Sequence, residues 1–337
     1  MKKIYIPIIL IVTVFAGVVG WRLGRQGTKQ FQPEIVQKIT RPLEKYTIEN
    51  LAKANIKPAD LSFNVPEKKF SMKFETALDG QIKTVSGQAR YPLDAKSSYP
   101  VIIMVRGYVD KEIYQSGIGT QKAAEVFSQN GFITLAPDFL GYADSDQESP
   151  NILEARFQTY TTILSLLASV NQIPNWDGEN VFLWGHSNGG QIALTILEIT
   201  QKAYPTTLWA PVSKPFPYSV LYYTDEAEDK GKFLRREIAN FEEIYNSDAF
   251  SIHKFYDKIN KETPIQIHQG TADDAVPPDW SKTLFEMLKN QEIKVNYFVY
   301  PGSDHNLRPA SPSLGGPAWN TVVQRDLDFF RANRHNN

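Results

Sequence analysis

Four apolar residues, Val181-Phe182-Leu183-Trp184, stop abruptly at Gly185-His186-Ser187-Asn188-Gly189-Gly190, and Gln191 to Leu197 continue with a helical pattern. A buried strand, a glycine-flanked serine and a helix are the context that a Gly-x-Ser-x-Gly nucleophile elbow requires. The reason is steric. A serine at the tip of so sharp a turn takes a strained backbone conformation, and the residues two before and two after it crowd its Cβ, so positions 185 and 189 favour glycine. The alternative is a glycine-rich strand-to-helix turn that happens to carry a serine, and the rest of the chain has to decide between them.

A serine hydroxyl needs a base, usually histidine. Of the five histidines, His186 adjoins the serine, His335 lies in the terminal tail, His253 sits in a long excursion and His268 ends a strand. His305 stands in Tyr300-Pro301-Gly302-Ser303-Asp304-His305-Asn306, directly after the last apolar run, and position singles it out. The expected chain order is serine, acid, histidine, each partner on a loop at one edge of the sheet. The acid should then follow the penultimate strand, in His268-Gln269-Gly270-Thr271-Ala272-Asp273-Asp274-Ala275-Val276-Pro277. A carboxylate there holds the tautomer and orientation of the imidazole. Asp273, presented by a turn of small residues, is the preferred candidate and Asp274 the alternative. The oxyanion formed on attack needs two preorganised donors. The backbone N–H of Asn188, opening the helix, is one; the loop Val105-Arg106-Gly107-Tyr108 should supply the other through the Tyr108 N–H, with its hydroxyl as the alternative.

Around these loops the chain reads as strands alternating with helices. Phe70–Thr76 and Gln81–Gly87 alternate with period two about a Leu78-Asp79-Gly80 turn, as a β-hairpin does. Continuous apolar runs follow at 100–105, 131–138, 181–184, 207–210, 264–268 and 295–300, with helical patterns at 119–129, 152–170, 189–203, 279–290 and 317–332. Such alternation predicts an α/β fold: a mostly parallel sheet covered by helices on both faces. One interval breaks the rhythm: residues 214–262 are rich in aromatics and charge and carry a helix around Asp225–Tyr245. So long an excursion beyond a strand end is expected to be a lid, the alternative being an extra helix pair on the sheet edge.

At the N-terminus, Lys2-Lys3 precede 18 uncharged residues, Ile4 to Trp21, ended by Arg22. As a helix this run spans about 27 Å, close to the hydrocarbon core of a bilayer. No cleavage site of the A-x-A kind follows it. Residues 1–22 are therefore expected to anchor the chain in a membrane, with the catalytic part outside the cytoplasm. Residues 23–66 read as a tether with a short amphipathic helix after Pro42, and 67–337 as the catalytic domain. A net charge of −1 without long runs of one sign gives no electrostatic case for nucleic acid, and the absence of cysteine excludes thiolate chemistry. Asp144 and Asp146 lack a calcium loop, and Gly117-Ile118-Gly119 lacks the third glycine and the preceding strand of a dinucleotide site. Neither a metal nor a cofactor is expected. Oligomeric state is not legible.

Taken together, Gly185-His186-Ser187-Asn188-Gly189-Gly190, the loop from His268 to Pro277 and Gly302-Ser303-Asp304-His305 resemble the α/β-hydrolase superfamily. More narrowly, residues 69–332 are similar to the catalytic domain of the prolyl oligopeptidase (S9) family of serine peptidases. Asp138-Phe139-Leu140-Gly141-Tyr142-Ala143-Asp144-Ser145 resembles that family's D-x-x-G-x-G-x-S loop, with Ala143 in place of a glycine. Two features depart from the pattern: no β-propeller precedes the catalytic part, and Arg106-Gly107-Tyr108 stands where many esterases carry His-Gly. The resemblance implies a serine hydrolase acting through an acyl-enzyme, with a small peptide as substrate, or a carboxylic ester as the alternative. A non-catalytic binding protein on this scaffold would be expected to have lost a member of the Ser187, Asp273, His305 set, and all three are present.

Overall fold

In the computed structural model, residues 16–22, 40–94, 96–226, 228–309 and 318–335 are described. Nine strands form one sheet in the order β1-β2-β3-β5-β4-β6-β7-β8-β9. These are β1 (Asp60–Asn64), β2 (Lys69–Glu75), β3 (Ile82–Arg90), β4 (Tyr99–Val105), β5 (Ile133–Pro137), β6 (Trp176–His186), β7 (Thr206–Trp209), β8 (Ile265–Gly270) and β9 (Val295–Tyr300). The first three strands and the β3–β5 pairing are antiparallel, and every pairing from β5 through β4 to β9 is parallel. The apolar runs are continuous because both faces of the parallel part are covered. Along β4, Val101, Ile103 and Val105 join the larger core, while Ile102 and Met104 join the second core on the opposite face. Val181 and Leu183 against Phe182 and Trp184 divide in the same way on β6.

The helices are α1 (Ile48–Lys53), α2 (Gln121–Gln129), α3 (Ile152–Ala168), α4 (Asn188–Thr200), α5 (Tyr218–Leu221), α6 (Lys232–Glu242), α7 (Pro278–Asn290) and α8 (Ala318–Ala332). The larger core takes apolar residues of α3, α4 and α7, such as Phe157, Leu194 and Leu284. The second takes Phe127 of α2 and Leu327 and Phe330 of α8. α8 is fastened to the sheet by a buried carboxylate: Asp326 accepts from Thr207 Oγ1 (2.6 Å), Trp209 Nε1 (2.8 Å) and Gln266 Nε2 (2.8 Å).

Two boundaries differ from the sequence expectation. The compact unit that holds the sheet begins at Arg41, well before residue 67. The cause is burial: Leu43, Tyr46, Ile48, Leu51 and Ala59 all enter the core, and β1 adds a strand to the sheet edge. The expected helix after Pro42 is split at Thr47, whose extended backbone and side-chain bond to the Asn50 N–H (3.2 Å) restart it as a new N-cap. Of the apolar run expected to span a membrane, residues 4–15 lie outside the described residues. Among the described residues no helix is long and apolar enough to cross a membrane.

The 214–262 excursion is built into the body of the protein. Phe216, Phe241 and Phe250 pack around Phe157 of α3, with the Phe157–Phe250 and Phe241–Phe250 ring centroids each 5.0 Å apart. The Tyr245 hydroxyl accepts from the Leu43 N–H (2.9 Å) and the Ile244 carbonyl from Arg41 (2.9 Å), so residues 41–53 dock beside it. Among the described residues its outward aromatics are Tyr218 (50% exposed), Tyr222 (41%) and Phe233 (48%), all in its first half.

Candidate active site

Every site residue expected from the sequence follows the C-terminal end of a parallel strand: Tyr108 after β4, Ser187 after β6, Asp273 after β8 and His305 after β9. That edge is where open α/β sheets place their ligands. Ser187 has φ 56° and ψ −122°, a strained conformation for a residue with a Cβ. It is held by three backbone bonds: its N–H donates to the Trp209 carbonyl (2.9 Å), and its own carbonyl accepts from Gly190 (2.9 Å) and Val212 (3.0 Å). The glycines are sterically required. A Cβ on Gly189 would collide with the Val105 carbonyl, and one on Gly107 would lie 2.8 Å from the Ser187 Cβ.

The acid loop meets the histidine loop 32 residues on. Asp273 Oδ2 lies 2.9 Å from His305 Nδ1 and accepts a hydrogen bond from it; Oδ1 accepts from the Ala275 N–H (3.0 Å) and Val276 N–H (2.8 Å). Burial works against ionising Asp273. The His305 hydrogen bond and charge, the Val276 N–H and Gln269 outweigh it and hold the carboxyl below its usual range. Asp274 is exposed and makes no hydrogen bond to His305, so the structure brings the preferred aspartate to the histidine and not its neighbour.

Gln269 was not singled out by the sequence. Fully buried on β8, it donates from Nε2 to Asp273 Oδ2 (2.9 Å) and accepts at Oε1 from Ser281 Oγ (2.6 Å). His186 is the second omission. Neighbouring side chains in an extended strand diverge, so His186 had no role beside Ser187, yet its ring reaches the histidine loop. Its centroid is 4.7 Å from that of His305, and its Nε2 lies 3.0 Å from the His305 carbonyl. Burial first, then the like charge of His305, push its pKa down to about 3. A carbonyl only accepts, so the neutral ring carries its proton on Nε2.

Among the described residues Ser187 Oγ has no hydrogen-bond partner. Catalytic serine–histidine contacts often tighten only once substrate is present. The other three histidines lie elsewhere: His268 is buried with Nδ1 2.8 Å from the Tyr300 hydroxyl, His253 Nε2 contacts the Ser213 carbonyl (2.6 Å), and the His335 N–H donates to Asn180 Oδ1 (2.8 Å).

The loop after β4 is shaped by Arg106, which is buried at 4% exposure. Its Nη1 donates to the Gly107 carbonyl (2.9 Å) and its Nη2 to the Asp138 carbonyl (2.7 Å), while Tyr142 and Tyr114 stack on the guanidinium at 4.0 and 4.5 Å. The Asp138 carboxylate in turn accepts from Ser86 (2.7 Å), Tyr114 (2.6 Å) and Ser116 (2.9 Å). Within a trans peptide the C=O and N–H point opposite ways, so fixing the Gly107 carbonyl also fixes the direction of the Tyr108 N–H. The Tyr108 side chain is 74% exposed, and its hydroxyl donates to Asp110 (2.7 Å), a bond that with partial burial raises its pKa to about 12. Of the two donors offered by Tyr108, the hydroxyl is already committed.

The sheet order, the strained serine after β6 and the Asp273–His305 pair define the α/β-hydrolase fold and the serine hydrolase class. The model of the prolyl oligopeptidase family matches residues 119–332, and the chain belongs to that family. It is 22% identical over 291 residues to the acetyl esterase Axe7A of Xylanibacter ruminicola, a match covering 77% of this chain and 63% of that one. The chain thus spans less than two thirds of that relative. Among solved structures it is similar to dipeptidyl peptidase 4 of Porphyromonas gingivalis (TM-score 0.57, 16% identity, 85% of this chain and 37% of that one). It is also similar to acetyl xylan esterase 1 of Thermoanaerobacterium sp. (TM-score 0.55, 16% identity, 85% and 94%).

Proposed function

We propose that this serine hydrolase cleaves small acyl esters through an acyl-enzyme on Ser187. The observation that carries the machinery is the 2.9 Å Asp273–His305 bond, set on the same sheet edge as a serine in the strained elbow conformation. Ser187 Oγ attacks the ester carbonyl carbon while His305 Nε2 takes the hydroxyl proton. Asp273 stabilises the imidazolium and keeps its tautomer. The N–H groups of Asn188 and Tyr108 stabilise the oxyanion. Collapse expels the alcohol, which leaves with the proton from His305. Water, deprotonated by the same ring, then attacks the acyl-enzyme, and the carboxylic acid departs as Ser187 recovers its proton.

The ester reading is supported by likeness to an acetyl esterase along most of this chain. A second reading, hydrolysis of short peptides, is favoured by the family model itself, since both reactions pass through one tetrahedral intermediate and fold alone does not choose. Tyr218 and Tyr222, on the exposed start of the 214–262 excursion, would then face substrate as the lid, with the rest of the excursion as its foundation. The apolar run at 4–21 supports a membrane anchor that keeps the catalytic unit at a bilayer surface outside the cytoplasm. A panel of p-nitrophenyl esters against dipeptide and proline-containing amides tests the substrate class. Ester turnover with no amide cleavage is the expected result, and amide cleavage at comparable kcat/KM would replace the ester reading with the peptidase one.

A further inference from the structure

The serine elbow and the histidine loop come from strands β6 and β9, separated in the sheet by β7 and β8. Something must hold the two loops in register. Among the described residues one hydrogen bond crosses directly between them, from His186 Nε2 to the His305 carbonyl at 3.0 Å. We propose that His186 is the positioning residue for His305: its Nε2–H clamps the His305 main chain, and its ring packs against the His305 ring.

Three features support this. First, the histidine loop is otherwise tied to the acid loop and to itself. The Ser303 carbonyl accepts from the Ala272 N–H (2.9 Å), and the Asp304 N–H donates to Arg308 (2.7 Å). None of these bonds reaches the serine. Second, the rings of His186 and His305 lie 4.7 Å apart at an interplanar angle of 36°, which restricts rotation of the base about its side-chain bonds. Third, the ionisable groups around His186 are His305, Asp273 and Arg308. His186 is neutral between them, so it adds no like charge beside a base that must become cationic during the reaction. A lysine or arginine in this place would have added one. The proposal rests on His305 being the base, and goes beyond it by assigning the residue before the nucleophile to the base rather than to the serine.

The test is an NMR titration of histidine ring nitrogens in the full chain, ¹⁵N-labelled at histidine, with signals assigned by His186→Phe and His305→Gln. In the wild type, His186 should stay neutral from pH 8 to 5 with its proton on Nε2. His186→Phe keeps a ring and removes the donor; it should loosen the Asp273–His305 pair, seen as faster exchange with water and loss of the His305 Nδ1–H proton resonance. His186→Gln, which restores an N–H of similar reach, should bring that resonance back. The same pair separates in catalysis: kcat for p-nitrophenyl acetate should fall about tenfold in His186→Phe, the loss of roughly one well-placed hydrogen bond, with KM little changed, and should largely recover in His186→Gln. A wild-type His186 that titrates above pH 5 or carries its proton on Nδ1 would overturn the proposal, even if His186→Phe does not fold, since His186→Gln assigns the same signal. So would a His186→Phe protein whose His305 Nδ1–H resonance stays as protected as in the wild type. Failure of the wild type to hydrolyse any ester or amide would instead count against the function proposed above and would leave the tautomer and titration results standing.

Discussion

Gln269 Nε2 and His305 Nδ1 both donate to the same oxygen of Asp273, each from 2.9 Å. The aspartate is therefore oriented from behind by a buried amide that is itself fixed by Ser281. Replacing Gln269 with Leu removes a donor to a charged acceptor, an interaction of about 1.5–3 kcal/mol. The expected result is a drop in kcat of roughly tenfold or more with little change in KM. Steady-state kinetics on a p-nitrophenyl ester, with a thermal melt to show that the fold survives, is the check.

Asp273 and Asp274 separate cleanly. Asp273→Asn should lower kcat by about 10⁴, because the imidazole loses its tautomer and the imidazolium its counter-charge. The exposed Asp274→Asn should stay within about twofold, as surface changes usually do. The assignment fails if the second substitution is the damaging one.

Arg106 supports the oxyanion loop from inside the protein. Arg106→Met keeps some of the stacking bulk but loses the bonds to the carbonyls of Gly107 and Asp138. Loss of one preorganised oxyanion donor costs about 10²–10³ in kcat, and a loosened one should cost roughly tenfold to a hundredfold. Tyr108→Phe should stay near wild type, because the proposed donor is the backbone N–H while the hydroxyl is held by Asp110. A large loss in Tyr108→Phe would move the role to the hydroxyl.

Glu198, on α4 behind the elbow, is fully buried, and neither carboxylate oxygen has a hydrogen-bond partner among the described residues. Burial first, then the charge of Asp257, raises its pKa well above the usual carboxylate range. The folded protein thus keeps a proton that the unfolded chain releases above about pH 4.3. Stability from this group is complete below that pH and is lost as pH rises toward the folded value. Glu198→Gln should therefore melt at a higher temperature than the wild type at pH 8, with the difference vanishing near pH 4. Calorimetric or fluorescence melts at both pH values decide it.

Much of this was legible in the sequence, and the reason is locality. The elbow, the parallel strands and the loops that carry Asp273 and His305 announce themselves through runs of residues adjacent in the chain. β1 did not: Asp60–Asn64 has no fully buried side chain, and its alternation rests on two residues, Leu61 and Phe63, that are only partly buried against the core. The break at Thr47 depends on a single cap, and the integration of residues 41–53 on contacts with Tyr245 about 200 positions away. Gln269 lay within a motif already quoted but reads there as an ordinary strand residue. His186 was set aside by a rule about neighbouring side chains that holds locally. What it lacked was the 119-residue contact that brings His305 to it.

The central claim is that Ser187 is the nucleophile. Treating the full chain with a fluorophosphonate and mapping the adduct by peptide mass spectrometry tests it most directly. The account predicts one phosphonylated residue, Ser187, and no labelling in the His305→Ala protein at matched exposure. An adduct on another serine, or an unlabelled wild-type protein that still hydrolyses ester, would contradict it.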